Sequence, residues 1–382
     1  MNQEEKSNFE TVLIMQGGGS LGAYECGVYK TLAKHEIKFD IVAGTSIGAV
    51  NASIIAGSKS DRSAENLEDF WIEMSETFTP LLENDKLRAF FSSMHAAMYG
   101  NTNGFRPIWF TPDFFSFSFN NWPYLYEIYP LKETLQKYVD FKNLGSKERP
   151  RLLVTSTDIQ NGRPVIFDSQ HDHISAEHVL ASAGYPFYGI SWTQIKGRYL
   201  WDGTLLSNTP LREVIYASPR CDKKVYIISL FPKIHEELPK NMFEAWHRAR
   251  DLMHVDKTDH SVMMSKVISR YLVLLKEMHD IIGHVPLDDK MKTRFGKLEP
   301  EYHKLAKERG AIIKEVIRIE RKEESFFIFE DADFSLTTIR KLIEQGEKDA
   351  ERVLAQKDSN ADVSSNNAKG ASSSKKPSFK KI

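Results

Sequence analysis

Gly44-Thr45-Ser46-Ile47-Gly48 sets a serine at the centre of a Gly-x-Ser-x-Gly turn. A serine hydroxyl that attacks a carbonyl must project from a tight turn, and Gly44 and Gly48 let the chain on either side approach closely. A helix opening just after the serine adds oriented N–H groups and a positive field at the reacting centre. Alone, such a pattern reads equally well as a packing turn. Its force comes from a second glycine-rich turn upstream, Gly17-Gly18-Gly19-Ser20-Leu21-Gly22. If the two turns end adjacent strands, the backbone N–H groups of Gly17, Gly18 and Gly19 lie beside Ser46. That pairs a nucleophile with an oxyanion hole.

Gly17, Gly19 and Gly22 also satisfy the GxGxxG spacing that cradles a pyrophosphate. That chemistry requires a carboxylate at the end of the next strand to hold a ribose, and here the strand ends in Gly44-Thr45-Ser46. The serine still needs a base. A Ser-His-Asp hydrolase places a histidine late in the catalytic domain, after an acid. His171, His173 and His178 are the candidates, but they sit in or beside a polar turn. Asp202-Gly203 directly ends a short strand, Tyr199 to Trp201. In isolation it reads as an ordinary Asp-Gly turn; beside the two glycine motifs it becomes a site candidate.

These residues need a frame. Thr11 to Met15 (TVLIM) and Phe39 to Ala43 (FDIVA) read as buried strands, and Leu21 to Lys34 and Ile47 to Ala56 as the helices that follow them. Two strand-helix units predict a parallel sheet with helices packed on it, and ligands at the carboxyl ends of its strands. Further strands are expected at Arg151 to Asp158, Pro164 to Phe167 and Val225 to Leu230, the last closing the main sheet. Helices are expected at Ala64 to Phe78, Asp85 to Met98 and Ser175 to Ala183. The aromatic stretch from Phe105 to Tyr129 is either irregular packing or a lid or acyl-chain wall. After Pro239 the pattern turns helical: Asn241 to Ile282, then Glu301 to Arg309, strands at Ile312 to Ile319 and Phe326 to Phe329, and a helix from Ser335 to Gln356. Met253, Met263, Met264 and Met278 suggest adaptable core packing. From Lys357 the composition implies disorder.

The combination resembles the patatin-like phospholipases, lipid acyl hydrolases that use a Ser-Asp dyad. The resemblance rests on GGGSLG (Gly17 to Gly22), GTSIG (Gly44 to Gly48), ASAGYP (Ala181 to Pro186) and DGT (Asp202 to Thr204), in the family's order over residues 10 to 232. It implies a three-layer α/β/α fold with a mainly parallel central sheet. It also implies Ser46 as nucleophile, Asp202 as general base and the Gly17 to Gly19 amides as oxyanion hole. The dyad needs no metal and no cofactor. The region after Pro239 is similar to the carboxy-terminal extension of some bacterial-type members. The expected organisation is a tail (1–10), an acyl hydrolase domain (11–239), a mostly helical region (240–356) and a basic tail (357–382). Two positions depart from the family pattern: Leu21, where many members carry Arg or Lys, and Thr204, where many carry Gly or Ala. Losing the cation leaves neutral esters open beside phospholipids.

The 382 residues balance 51 Lys+Arg against 52 Asp+Glu, which argues against a surface built for nucleic acid. Cys26 and Cys221 make no disulfide framework and belong to no zinc spacing, as expected of a reducing cytoplasm. The amino end lacks the basic and apolar blocks of an export signal, and the uncharged run Ile41 to Ser58 reads as strand, turn and buried helix. A lipid or other acyl-ester substrate implies peripheral membrane contact, to which Lys369, Lys375, Lys376, Lys380 and Lys381 would add attraction for anionic lipid. Two other readings are a Ser-His-Asp esterase and a non-catalytic lipid- or nucleotide-binding protein.

Overall fold

The short apolar runs become the strands of one mixed sheet. The computed structural model describes residues 9–371, apart from 80–82, 112, 113, 115–121, 220, 309–312, 324–326 and 328. Its strands are β1 (Phe9–Met15), β2 (Ile41–Thr45), β3 (Arg106–Pro107), β4 (Tyr126–Glu127), β5 (Arg151–Asp158), β6 (Pro164–Asp168), β7 (Thr193–Ile195), β8 (Arg198–Asp202), β9 (Asp222–Ser229) and β10 (Ile313–Glu320). The main sheet runs β10-β9-β1-β2-β5-β8-β7, with β6 also on β5, and β3 pairs with β4 separately. Strands β10, β9, β1, β2 and β5 are mutually parallel, whereas β6, β7 and β8 join antiparallel.

The helices are α1 (Gly22–Lys34), α2 (Ile47–Gly57), α3 (Ser63–Met74), α4 (Asp85–Tyr99), α5 (Tyr129–Tyr138), α6 (Ala176–Ala183), α7 (Leu211–Ala217), α8 (Met242–His254), α9 (Thr258–His284), α10 (Asp289–Glu308) and α11 (Leu336–Ala371). A parallel sheet is stable only when both faces are covered. Leu13, Met15 and Val42 pack into the larger core with residues of α1, α2 and α11. Val12, Ile14 and Ala43 point the other way, into a second core with Leu211 and Val214 of α7. The result is an α/β/α arrangement around a mainly parallel sheet.

The carboxy-terminal region departs from expectation in four ways. First, β9 does not close the sheet, because β10 pairs in parallel along its outer side. Strand identity is written in the local pattern of a segment, but its partner is not. Second, the long helix expected over 241–282 is broken at Val255–Lys257 into α8 and α9. Third, Met253, Met263, Met264 and Met278 are about half exposed rather than in the core. Fourth, α11 runs on to Ala371 through residues whose composition argued against order; extending a helix is far easier than starting one. The strand expected at Phe326–Phe329 falls partly outside the described residues, and Phe327 and Phe329 are not in a strand. Residues 372–382, with four of the five tail lysines, also lie outside.

Helix α11 lies directly on α1. A Cβ on Gly27 would stand 1.9 Å from the carbonyl oxygen of Ile343, and one on Gly346 would stand 2.2 Å from that of Tyr24. The two backbones touch because both crossing positions lack side chains.

Candidate active site

Strand β2 ends at Thr45 and α2 starts at Ile47, so Ser46 is the single residue between them. It adopts φ 56° and ψ −127°, a conformation that L residues with a side chain rarely hold. The surroundings enforce it. A Cβ on Gly44 would lie 2.1 Å from the Gly48 carbonyl oxygen, and one on Gly48 would lie 2.5 Å from that of Met15. Ser46 N–H donates to Ser182 Oγ (2.9 Å), which in turn donates to the Thr155 carbonyl (2.6 Å).

Asp202 ends β8, where it pairs with Ser156 of the central β5. Ser46 Oγ donates to Asp202 Oδ2 at 2.6 Å, and Thr204 N–H donates to Asp202 Oδ1 at 2.8 Å. The aspartate is fully buried. Burial pushes its carboxyl from 3.8 up to about 6, against the opposing effect of the hydrogen bonds from Ser46 and Thr204.

The glycine turn follows β1, and since β1 and β2 are parallel neighbours it lies beside Ser46. Its three amides are not equivalent. Gly17 N–H donates to Asn208 Oδ1 at 2.9 Å, so its hydrogen is already engaged. Gly18 and Gly19 open a short 3-10 turn, and their N–H groups have no acceptor among the described residues. Gly19 is at φ +55°, and a Cβ there would stand 2.2 Å from the Asp331 carbonyl oxygen. The carboxy-terminal region thus presses on the turn, and Ser20 Oγ donates to the Glu330 carbonyl at 3.0 Å. Leu21 is buried at 1% exposure and offers no charge.

Ser46, Asp202 and the three glycines line one cavity of about 400 Å³ whose remaining wall is mostly apolar, with Val50, Met74, Phe105, Ile128, Leu131 and Phe334. The aromatic stretch therefore contributes Phe105 and Tyr126 to a wall, although part of it lies outside the described residues.

None of the three candidate histidines reaches this cavity. His178 Nδ1 accepts from Ser175 N–H (3.0 Å) and caps the start of α6, while His171 and His173 are exposed. The histidine that does line it, His254, ends α8 and was not foreseen. Its Nε2 lies 3.1 Å from the Tyr185 hydroxyl, and burial holds its imidazole below the ordinary 6.5. Asn208 was also missed: besides holding Gly17, it donates through Nδ2 to the His254 carbonyl at 2.8 Å. Neither residue belongs to a motif or a periodic pattern that could have announced it.

Among the described residues no helix is long and apolar enough to cross a membrane. Comparison with known proteins adds family context. A triacylglycerol lipase (SDP1L) from Arabidopsis thaliana is 35% identical over 71 residues, which is 19% of this chain and 8% of that protein. A putative patatin-like phospholipase domain-containing protein (M110.7) from Caenorhabditis elegans is 33% identical over 61 residues, 16% of this chain and 6% of that protein. The chain thus matches less than a tenth of the length of either relative. The crystal structure of VipD from Legionella pneumophila aligns with a TM-score of 0.35 at 14% identity, over 91% of this chain and 67% of that one. The model of one family, patatin-like phospholipase, matches residues 13–215, more than half of the sequence, from within β1 through Ser46 and Asp202 into α7. The chain belongs to the patatin-like phospholipase family.

Proposed function

We propose that the protein is a serine acyl hydrolase that cleaves carboxylic esters of lipids, with Ser46 as nucleophile and Asp202 as general base. The observation that carries this reading is the 2.6 Å hydrogen bond between them at one end of an apolar cavity. Asp202 takes the hydroxyl proton as Ser46 Oγ attacks the ester carbonyl. The oxyanion accepts from Gly18 and Gly19 N–H, two donors rather than the three expected, since Gly17 is held by Asn208. Protonated Asp202 then gives its proton to the departing alcohol, leaving the acyl group on Ser46. A water that Asp202 deprotonates releases the acid. A carboxyl near 6 suits this exchange better than one near 3.8.

The acyl chain would occupy the apolar wall, where each buried methylene contributes about 0.8 kcal/mol. With Leu21 in place of a cation, recognition rests on that chain rather than on a phosphate headgroup. Helix α4 supports a peripheral membrane role: Phe90, Phe91, Met98 and Tyr99 are about half exposed, and Met94 reaches the cavity. We assign the chemistry to residues 11–239 and a covering role over the glycine turn to residues 240–356.

The test is labelling by a fluorophosphonate probe, followed by mass spectrometry of products from a panel of phospholipids and neutral glycerides. Wild-type protein should be labelled, and Ser46→Ala should not. Turnover should vanish in Ser46→Ala and in Asp202→Asn. A wild-type chain that binds lipid but neither reacts with the probe nor turns over the panel would be the non-catalytic alternative instead.

A further inference from the structure

Away from the cavity, four side chains of the carboxy-terminal region converge. His247 and Asp251 stand one turn apart on α8 and so share a face. His235 comes from the loop before that helix, and Glu323 from the segment just after β10. Asp251 Oδ2 lies 3.5 Å from His247 Nε2 and 3.7 Å from His235 Nε2. His235 Nε2 lies 3.3 Å from Glu323 Oε2, and His247 Nε2 lies 2.6 Å from Glu323 Oε1. Around a tetrahedral ion with bonds of about 2.0–2.2 Å, neighbouring ligand atoms stand about 3.3–3.6 Å apart. Three of these four spacings fall at or near that range; the His247–Glu323 pair must widen by roughly 0.7 Å, and Glu323, which faces the two imidazoles with different oxygens, must offer both oxygens or turn to share one.

The hydrogen-bond pattern points the same way. Asp251 is fully buried and the Glu323 side chain is 6% exposed. Yet Asp251 Oδ2 and both Glu323 oxygens receive no aligned hydrogen bond among the described residues, although imidazole nitrogens stand close by. His247 Nδ1 lies 3.2 Å from the Phe327 carbonyl and 3.3 Å from Arg250 Nη2. A backbone carbonyl beside the second ring nitrogen is a support that metal-binding histidines commonly have. Arg250 and Arg321 pair with Glu330 and Asp331, and Arg250 also touches Asp251 Oδ1 at 3.0 Å. Two guanidinium groups and two imidazoles thus face four carboxylates. Arg250 Nη2 is also 3.4 Å from His247 Nε2, a contact that an ion would displace.

We propose that His235, His247, Asp251 and Glu323 bind one divalent transition-metal cation of the Zn²⁺ type. Two imidazoles and two carboxylates suit such an ion and close its coordination with protein, as in structural rather than catalytic sites. The ion ties α8 to the chain that continues into Phe329, Asp331 and Phe334, all of which line the cavity. It braces that wall whether or not the serine chemistry is as proposed. Sequence spacing gave no hint of it, because the ligands are scattered from 235 to 323.

The test uses the full chain, stripped with a chelator, incubated with Zn²⁺, desalted and measured by elemental analysis and thermal melting. One equivalent of Zn²⁺ should remain bound, with a higher melting temperature than the stripped protein. Glu323→Gln and His235→Gln should each bind at least about a hundredfold more weakly. His235 is the more accessible ligand, so its variant guards against a misfolded Glu323→Gln. His279, Glu299 and His303 form a separate cluster on α9 and α10, and His303→Gln should leave the equivalent in place. With Co²⁺, the visible spectrum of a tetrahedral complex should appear in the wild type. A folded chain that retains no Zn²⁺ would overturn the proposal and leave two protonated histidines paired with two carboxylates. Unchanged Zn²⁺ binding by folded Glu323→Gln and His235→Gln, or loss of Zn²⁺ in His303→Gln, would overturn it equally.

Discussion

If Asp202 is the base proposed above, lowering the pH should switch ester hydrolysis off through this one carboxyl group. Burial lifts Asp202 from 3.8 to about 6. Only its ionised form can take the serine proton, so the rate should follow the ionised fraction. That fraction is near unity at pH 8, about one half at pH 6 and about one tenth at pH 5, a tenfold loss over the interval. At 3.8 the group would stay almost wholly ionised at pH 5, and the rate would change by only about 6%. The assay is hydrolysis of a soluble short-chain ester, with product measured by chromatography so that product ionisation does not enter. A histidine base would also titrate in this region, and two controls separate them. The midpoint should persist in His254→Gln. It should also rise in a mixed organic solvent, because a less polar medium disfavours the carboxylate but not the neutral imidazole. A flat profile down to pH 5, or a limb that disappears with His254, would refute the role given to Asp202.

The same burial has a thermodynamic side. Since the native state binds its proton more tightly than the unfolded chain, stability falls as pH rises from about 4 to 6, and above that the ionised group costs about 3 kcal/mol. Asp202→Asn, its gain partly offset by weaker hydrogen bonds, should therefore be more stable than wild type at pH 7 by on the order of 1–3 kcal/mol, an advantage that fades at pH 4; a lower melting temperature at both would contradict this. Gly18→Val, whose Cβ would stand 2.7 Å from Leu230 Cδ1 at the movable end of that side chain, should keep the fold once Leu230 shifts and lower the rate by about 10²–10³ through a displaced oxyanion donor. Gly346→Leu should destabilise by about 1–3 kcal/mol in chemical denaturation, because its side chain enters the α1 backbone. His178→Gln should retain turnover, and its loss would revive a histidine mechanism.

The site was legible where local chemistry dictates residue type. Ser46 needs glycines at 44 and 48 because carbonyl oxygens stand where their side chains would be, and Asp202 was visible as the end of a short strand. What the sequence concealed was assembled from a distance. Asn208 takes the Gly17 amide, so of the three N–H groups in the glycine string that one is already engaged. His254 and Phe334 reach the cavity from segments whose periodicity only says that they are helix or turn. The strand expected at Ile312 to Ile319 matches β10, but its place beside β9 depends on long-range pairing that no local pattern encodes. The exposed methionines of α8 and α9 show the limit of composition, since the same residue fills cores and coats surfaces.

The pairing of β10 with β9, and of α11 with α1, bears on how the polypeptide comes off the ribosome. At roughly 5–20 residues per second, the partners of its earliest elements emerge many seconds after those elements do. Until then one flank of β9 is an open edge, and α1 keeps a bare apolar side where Ile339 and Ile343 later sit. A nascent chain in that condition needs sheltering, and truncation after residue 239 would make the condition permanent. Expression of such a fragment should give inclusion bodies rather than a minimal hydrolase.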